Sequence, residues 1–320
     1  MSGATEDFVA VRRLFATDAP AVRDALATLF DADRPVARPA ADDALGPAAV
    51  RALTSLRLLG SDGRRLRPFV HIGRDGRSVI ASDRLERRLE RDFVLGVGPA
   101  GRLMARLARR HRVDRALDLG TGSGIVALAM AEGGATVDAV DISPRALAFL
   151  RFNAAVNGCR AIRGIDADFL GVCPAPETPT IERHAYDLVI ANPPFVVSPS
   201  HELTYRDRPL PGDEVGARTV AAIARALAPG GRGYLLAEWI VRPGAPDPDA
   251  PVRAWVAGTA LAATIRPFAD RTPEAYAAAW VRDRPASERA DAAATWSAAL
   301  HAEGVARIRT GVIALATMGP

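Results

Sequence analysis

The feature that most constrains this chain is an apolar run that stops at two prolines. Residues 187–191 read Asp-Leu-Val-Ile-Ala, and Asn192-Pro193-Pro194-Phe195 follows at once. Such a run predicts a buried strand. Proline has no N–H to donate, so pairing ends there. The strand then presents an amide side chain, two stiff carbonyls and an aromatic ring at its carboxyl edge. In open α/β sheets that edge is where ligands bind. Rigid acceptors beside a ring suit a planar group that carries N–H2.

The surrounding pattern places this strand in a sheet. From about residue 100, strands are expected at 116–119, 136–140, 161–165, 186–191 and 233–240, with helices at 125–131, 144–156 and 214–227 between them. This alternation predicts an α/β fold with a doubly wound, mostly parallel sheet. Further on come a strand near 261–266, helical stretches at 273–281 and 286–302, and a last strand at 306–316; residues 245–251 read as a surface loop. Upstream, residues 5–30 show the apolar spacing of two helices, 31–46 read as a loop, and Pro47 opens a third helix through Leu59. Phe69-Val70-His71-Ile72 and Ser78-Val79-Ile80-Ala81 flank a glycine-containing turn, as in a hairpin. Residues 1–90 are therefore expected to form a small helical and hairpin domain, and 91–320 a larger one.

Composition narrows the classes. With 320 residues, 49% of them hydrophobic and 24% charged, the chain can bury a sizeable core. No signal peptide is visible at the start, and no apolar run reaches the ~18 residues of a membrane span. A cytoplasmic protein without a membrane partner is the expectation, and composition leaves the oligomeric state open. Cys159 and Cys173 form neither a metal-spaced cluster nor a disulfide framework. No metal site is expected. Every one of the 41 basic residues is arginine. Residues 51–115 hold 17 of them against 7 Asp and Glu. Such a block can meet phosphates. The expectation is instead self-paired surface, since Arg84, Arg87, Arg88 and Arg91 alternate with Glu86, Glu90 and Asp92 in helical spacing.

A second site lies upstream. Asp118-Leu119-Gly120-Thr121-Gly122-Ser123-Gly124 falls between a strand and a helix, where glycines allow a tight turn and close approach to a ligand. The spacing is Gly-x-Gly-x-Gly, not the Gly-x-Gly-x-x-Gly of a dinucleotide turn. Asp118 would repel a pyrophosphate but hold an ammonium. Asp141, about 20 residues past the glycines, stands where a carboxylate grips ribose hydroxyls; capping the helix after Ser143-Pro144 is its alternative, and both can hold. Ile142 follows it. Asp168-Phe169 can bond an adenine amino group beside an aromatic edge. Asp166 rivals Asp168 for that task.

In this order and spacing, 118–124, Asp141, Asp168 and Asn192-Pro193-Pro194-Phe195 resemble the class I S-adenosylmethionine-dependent methyltransferases. The four-residue signature resembles that of the subgroup that methylates nitrogen: nucleic-acid adenine and guanine enzymes, release-factor glutamine methyltransferases and methyltransferase small domain proteins. The resemblance spans roughly residues 92–240. It implies a seven-stranded sheet, with S-adenosyl-L-methionine as cofactor held by Asp118, Gly120, Thr121, Gly122, Gly124, Asp141, Ile142, Asp168, Phe169 and Asn192. Residues 92–98 resemble the segment that lies over that cofactor. It implies that the Asn192 oxygen and the Pro193 carbonyl accept the two N–H bonds of the acceptor, with Phe195 stacked on it; core packing is the alternative for Phe195. Pro194, His201, Tyr205 and Arg206 are candidates to touch the substrate.

Three readings follow. The first is an N-methyltransferase acting on a nucleic-acid base or a polypeptide amide. The second is the same core acting on a small amine or natural product. The third is a non-catalytic cofactor-binding module, against which the intact signature argues. The acceptor itself is not named by the sequence.

Overall fold

Four helices open the chain, and all four put their apolar stripes into one core. Helices Gly3–Phe15, Pro20–Leu26, Arg38–Leu45 and Pro47–Ser55 bury Val11, Leu26, Leu45 and Leu53. The computed structural model describes residues 3–32, 34–171, 181–199, 203–207, 209–212 and 214–318. A short sheet joins the helices, formed by β1 (Val36–Ala37), β2 (Leu59–Ser61) and β3 (Arg65–Pro68) in the order β1-β3-β2. The expected hairpin is present as β4 (His71–Asp75) and β5 (Ser78–Ser82), antiparallel, with Asp75 opposite Ser78.

The sheet implied by the alternation is also present. It contains β6 (Arg115–Leu119), β7 (Thr136–Asp141), β8 (Ile162–Asp166), β9 (Tyr186–Ala191), β10 (Leu227–Val241), β11 (Leu261–Arg271) and β12 (Arg307–Thr317). Its seven strands run in the order β11-β12-β10-β9-β6-β7-β8. The pairs β6–β9, β9–β10 and β7–β8 are parallel, whereas β12 pairs antiparallel with both β10 and β11. The fold is therefore the expected doubly wound α/β sheet, with two long antiparallel strands closing one edge.

The chain divides into two compact units, residues 1–110 with 121–166, and residues 111–120 with 167–320. In the first unit, residues 1–90 do not stand apart. Their core residues Val11, Leu29, Leu53 and Ile72 cluster with Val156, Phe149 and Phe152 of the helix Pro144–Val156. Phe8 and Phe152 meet with ring centroids 5.6 Å apart. Asn153, fully buried, accepts from the Ala81 N–H and donates to the carbonyls of Ala81 and Ser123. Asn157 ties Val79 in the same way.

In the second unit, the helices Pro273–Trp280 and Arg289–Ala302 pack Tyr276, Ala277, Trp296 and Leu300 with Ile240 and Ile308. Among the described residues, no helix is long and apolar enough to cross a membrane.

Several local expectations change. The loop expected over 31–46 holds a strand and a helix, Arg38–Leu45, with Pro39 in its first turn. The third helix ends at Ser55, leaving Leu59 to β2. Residues 250–251, expected in a loop, start the helix Ala250–Val256. A helix, Pro99–Ala108, precedes the first strand of the large sheet. In each helix a proline lies in the first turn, where its missing N–H costs nothing.

Candidate active site

In the second unit, Asp118 stands near the carboxyl end of β6, opposite Ile190 of β9. It is only 2% exposed, a carboxyl held inside the sheet. Its neighbour Gly120 takes φ +74°. A Cβ there would lie 3.6 Å from the Asn192 carbonyl oxygen, 3.9 Å from Phe169 Cε1 and 3.9 Å from Pro193 Cα. The turn after β6 and the signature after β9 are thus in contact, with Phe169 beside them.

Asn192 is half-buried where β9 ends. Among the described residues its carboxamide makes no hydrogen bond. The group is left with both its donor and its acceptor open. Pro193 is buried and Pro194 half-buried. Phe195, half-buried, packs against the cluster of Val196, Tyr276 and Trp296, so its ring has a packing role whatever else it touches.

Asp168 accepts from the N–H groups of Leu170, at 3.0 Å, and Gly171, at 2.8 Å. It therefore shapes its own loop, which Arg218 also grips through the Leu170 carbonyl at 2.9 Å. Arg206 is placed well away from solvent. Its side chain is 11% exposed, paired with Asp207 at 2.9 Å, and lies over the rings of Trp280 and Trp296 at 5.5 and 5.6 Å. That arrangement anchors a loop and leaves little of the guanidinium for a substrate. Tyr205 is half-buried in the same turn. His201 lies outside the described residues, as does Cys173.

In the first unit, the rest of the glycine turn is tightly tied. Thr121 N–H donates to the Val140 carbonyl and Gly124 N–H to the Thr121 carbonyl, both at 2.9 Å. Gly124 is left-handed at φ +87°, and a Cβ there would come 2.5 Å from Leu150 Cδ1, so any other residue would be strained and would force the Leu150 side chain aside. Above Gly122 the space is open, with nothing within 4 Å of a Cβ position.

Asp141 ends β7. Its Oδ2 accepts from Gly122 N–H at 2.8 Å and its Oδ1 from Ser143 N–H at 2.9 Å. Burial pushes its carboxyl above the usual carboxylate value, and Asp166 adds to the rise, while the N–H groups of Ser143, Gly122 and Ile142 oppose it. Ser143, not Asp141, caps the helix, accepting from Ala146 N–H at 3.2 Å. Asp166 stands opposite Asp141 in the β7–β8 register. Ile142 is 44% exposed, an apolar side chain left open beside the carboxylate.

The donors of each unit fit a part of S-adenosylmethionine. The first unit offers an open glycine backbone, a carboxylate with lone pairs to spare at a strand end and an exposed apolar neighbour. The second offers Asp118, a buried carboxyl for a cation. The segment 92–98 is built in: Asp83, 2% exposed, accepts from Val94 N–H at 2.8 Å and is bonded by Arg87 and Arg145. Four arginines of the basic block form ion pairs: Arg84 meets Glu86, Arg87 meets Glu90, Arg109 meets Asp75 and Glu132, and Arg115 meets Glu182. The segment Leu85–Arg87 is a single 3-10 turn, not the helix its spacing suggested.

Residues 96–238 match the methyltransferase small domain family. The release factor glutamine methyltransferase of Bordetella pertussis is 38% identical over 129 residues, covering 38% of this chain and 44% of that protein. The ribosomal protein uL3 glutamine methyltransferase of the same organism is 34% identical over 135 residues, covering 41% of this chain and 43% of that protein. The chain thus spans less than half the length of these curated relatives. Among solved structures, geranyl diphosphate C-methyltransferase from Streptomyces coelicolor A3(2) is 16% identical with a TM-score of 0.41, covering 68% of this chain and 79% of that one. The match to the methyltransferase small domain family covers residues 96–238, less than half of the chain.

Proposed function

We propose that the chain transfers a methyl group from S-adenosylmethionine to the side-chain amide nitrogen of a glutamine in a protein. The observation that carries this reading is the Asn192 carboxamide. Asn192 follows β9 with its backbone carbonyl beside Gly120, and no described residue bonds its carboxamide. The relatives that match are named for glutamine in a release factor and in ribosomal protein uL3. Arg84, Arg87, Arg109 and Arg115 of the basic block are paired with carboxylates, which weakens the argument for a nucleic-acid acceptor.

Bound S-adenosylmethionine supplies a methyl carbon made electrophilic by its sulfonium. Asp141 would take the ribose hydroxyls, Asp118 the ammonium, and Ile142 and Phe169 the flat faces of the adenine. Asp168, whose Oδ1 already holds two backbone N–H groups, would meet the adenine edge through its other oxygen, with Asp166 as the alternative. An amide nitrogen is a poor nucleophile because its lone pair is delocalised into the carbonyl. The Asn192 oxygen and the Pro193 carbonyl would accept its two N–H bonds, turning the lone pair out of conjugation and stabilising positive charge as it develops. The prolines that follow Asn192 restrain the backbone that carries both acceptors before substrate arrives. Nitrogen gains the methyl and loses one proton to water.

Calorimetry with S-adenosylhomocysteine and with NADH tests the cofactor. Transfer of labelled methyl from S-adenosylmethionine to purified release factor, ribosomal protein uL3, RNA and small amines then tests the acceptor. Micromolar S-adenosylhomocysteine binding and label in a protein are expected. Tight NADH binding without any response to S-adenosylhomocysteine overturns the reading.

A further inference from the structure

The most unusual buried group in the second unit is a carboxylate that the proposed chemistry does not use. Glu238 lies in the middle of β10, opposite Thr310 of β12, and is 6% exposed. One of its oxygens accepts from the Thr310 hydroxyl at 3.0 Å. The other accepts from the phenol of Tyr276, which is fully buried on the helix Pro273–Trp280. The phenol oxygen in turn accepts the N–H of Val197 at 2.9 Å. Val197 lies two residues past Phe195.

Stability alone gives little reason for this arrangement. Burying a carboxylate in a sheet is costly, and replacing a buried polar pair by well-packed apolar groups is often neutral or favourable. What the chain Glu238–Tyr276–Val197 provides is a fixed backbone position next to the signature. A second tie acts close by. Val196 N–H donates to the Arg206 carbonyl at 3.0 Å, and Arg206 is pinned over Trp280 and Trp296, 5.5 and 5.6 Å from their ring centres. Asp207 closes that turn, accepting from Leu203 N–H at 3.1 Å. Of the two residues after Phe195, Val197 is therefore held directly by Tyr276, and Val196 by the backbone of Arg206, whose guanidinium lies over Trp280 and Trp296.

We propose that Tyr276 and Glu238 are positioning residues for the acceptor, holding Val197 so that Asn192, Pro193 and Phe195 keep the geometry that presents the amide nitrogen. The proposal rests on the methyltransferase reading above. Neither residue touches the reacting atoms. Tyr276 acts through Val197, and Glu238 acts by orienting the Tyr276 hydroxyl so that its lone pair faces Val197. The C-terminal helices, which carry no part of the glycine turn, thereby gain a role as the scaffold of the acceptor side.

Tyr276→Phe, Glu238→Ala and Glu238→Gln in the full chain provide the test. Three quantities are measured: S-adenosylhomocysteine affinity, kcat for methyl transfer to release factor or ribosomal protein uL3, and hydrogen exchange at Val197. Tyr276→Phe is expected to lower kcat about 10- to 100-fold, the scale set by ångström misplacement of a reacting group. Val197 should exchange faster, and S-adenosylhomocysteine affinity should stay within about twofold of wild type, a split that a general loss of stability would not produce. Glu238→Ala should follow Tyr276→Phe. Glu238→Gln, whose amide oxygen can still take the phenol proton while its N–H2 turns to Thr310, should recover kcat to within about threefold. Faster exchange at Val197 with kcat unchanged overturns the positioning role. So does Glu238→Gln falling as far as Glu238→Ala. A wild-type chain that binds S-adenosylhomocysteine but methylates neither protein overturns the acceptor reading instead, and the proposal with it.

Discussion

Asp141 and Asn192 each stand where a strand ends, and they differ in what they already hold. Asp141 is bonded through both oxygens to backbone N–H groups of its own turn. Asn192 is bonded by nothing described, and is steadied instead through the residues that follow it. A carboxylate has lone pairs to spare, so it can shape a turn and still accept from a ribose. A carboxamide that must grip a new N–H has fewer, and a backbone tie would take one away. On the proposed function, the contrast separates a binding group that helps build the fold from an acceptor-side group that is kept out of it.

Substitutions can break or sharpen that contrast. The largest effect is expected at Asn192. Asn192→Ala should lower kcat by about 10²–10³, as loss of one preorganised polar partner does, while melting temperature stays close to wild type because no internal bond is lost. A matching fall in stability would show that Asn192 belongs to the scaffold after all. Next is a purely structural control, Asn153→Ala, which strips the Ala81 and Ser123 backbone groups of their buried partner. It should destabilise by about 3 kcal/mol in chemical denaturation, since several buried polar groups lose their partner at once. Asp141→Ala should do some of both. S-adenosylhomocysteine affinity should fall about tenfold or more, the scale of a hydrogen bond to a charged group, and stability should drop because Gly122 and Ser143 lose their acceptor. An unchanged affinity would confine Asp141 to holding its turn.

The smallest effect is a pH dependence at Glu238. Burial, opposed by the Tyr276 and Thr310 hydrogen bonds, pushes its carboxyl up from 4.5 to about 7. The folded chain then holds this proton more tightly than the unfolded one. The stability that results is complete below pH 4.5 and is lost as pH rises through about 7. Glu238→Gln has no such proton. The melting temperature of wild type minus that of Glu238→Gln should therefore fall across this window and stay level on either side. A difference that is flat from pH 4 to 8, roughly the range around those two values, would remove the buried carboxylate from the account.

Much of this was legible because the signals are local. Residues 186–195 combine an apolar run with two prolines, and the structure ends β9 at Ala191. The glycine turn, Asp141 and the alternation of strand and helix are likewise short-range patterns. The N-terminal region was less so. Arg38–Leu45 reads as loop because its proline, alanine and aspartate also make good turns, and only packing against the neighbouring helices decides. The tie between residues 1–90 and the helix Pro144–Val156 depends on Asn153 and Asn157 meeting a hairpin over 70 residues away. Arg206 read as a candidate substrate contact because nothing near it in sequence announces Trp280 and Trp296. Glu238 and Tyr276 gave no signal at all, since Glu238 lies in a strand among apolar residues and its partner is 38 residues away.

The central claim is that Asn192 holds an amide nitrogen while it is methylated. The direct test is to react the chain with labelled S-adenosylmethionine and release factor or ribosomal protein uL3 in a single turnover, digest the acceptor, and locate the methyl by mass spectrometry. The account predicts a methyl on a glutamine side-chain nitrogen, formed by wild type and nearly absent with Asn192→Ala at the same cofactor occupancy. A methyl on carbon, oxygen or a basic nitrogen, or a glutamine methylated at an undiminished rate by Asn192→Ala, would contradict it.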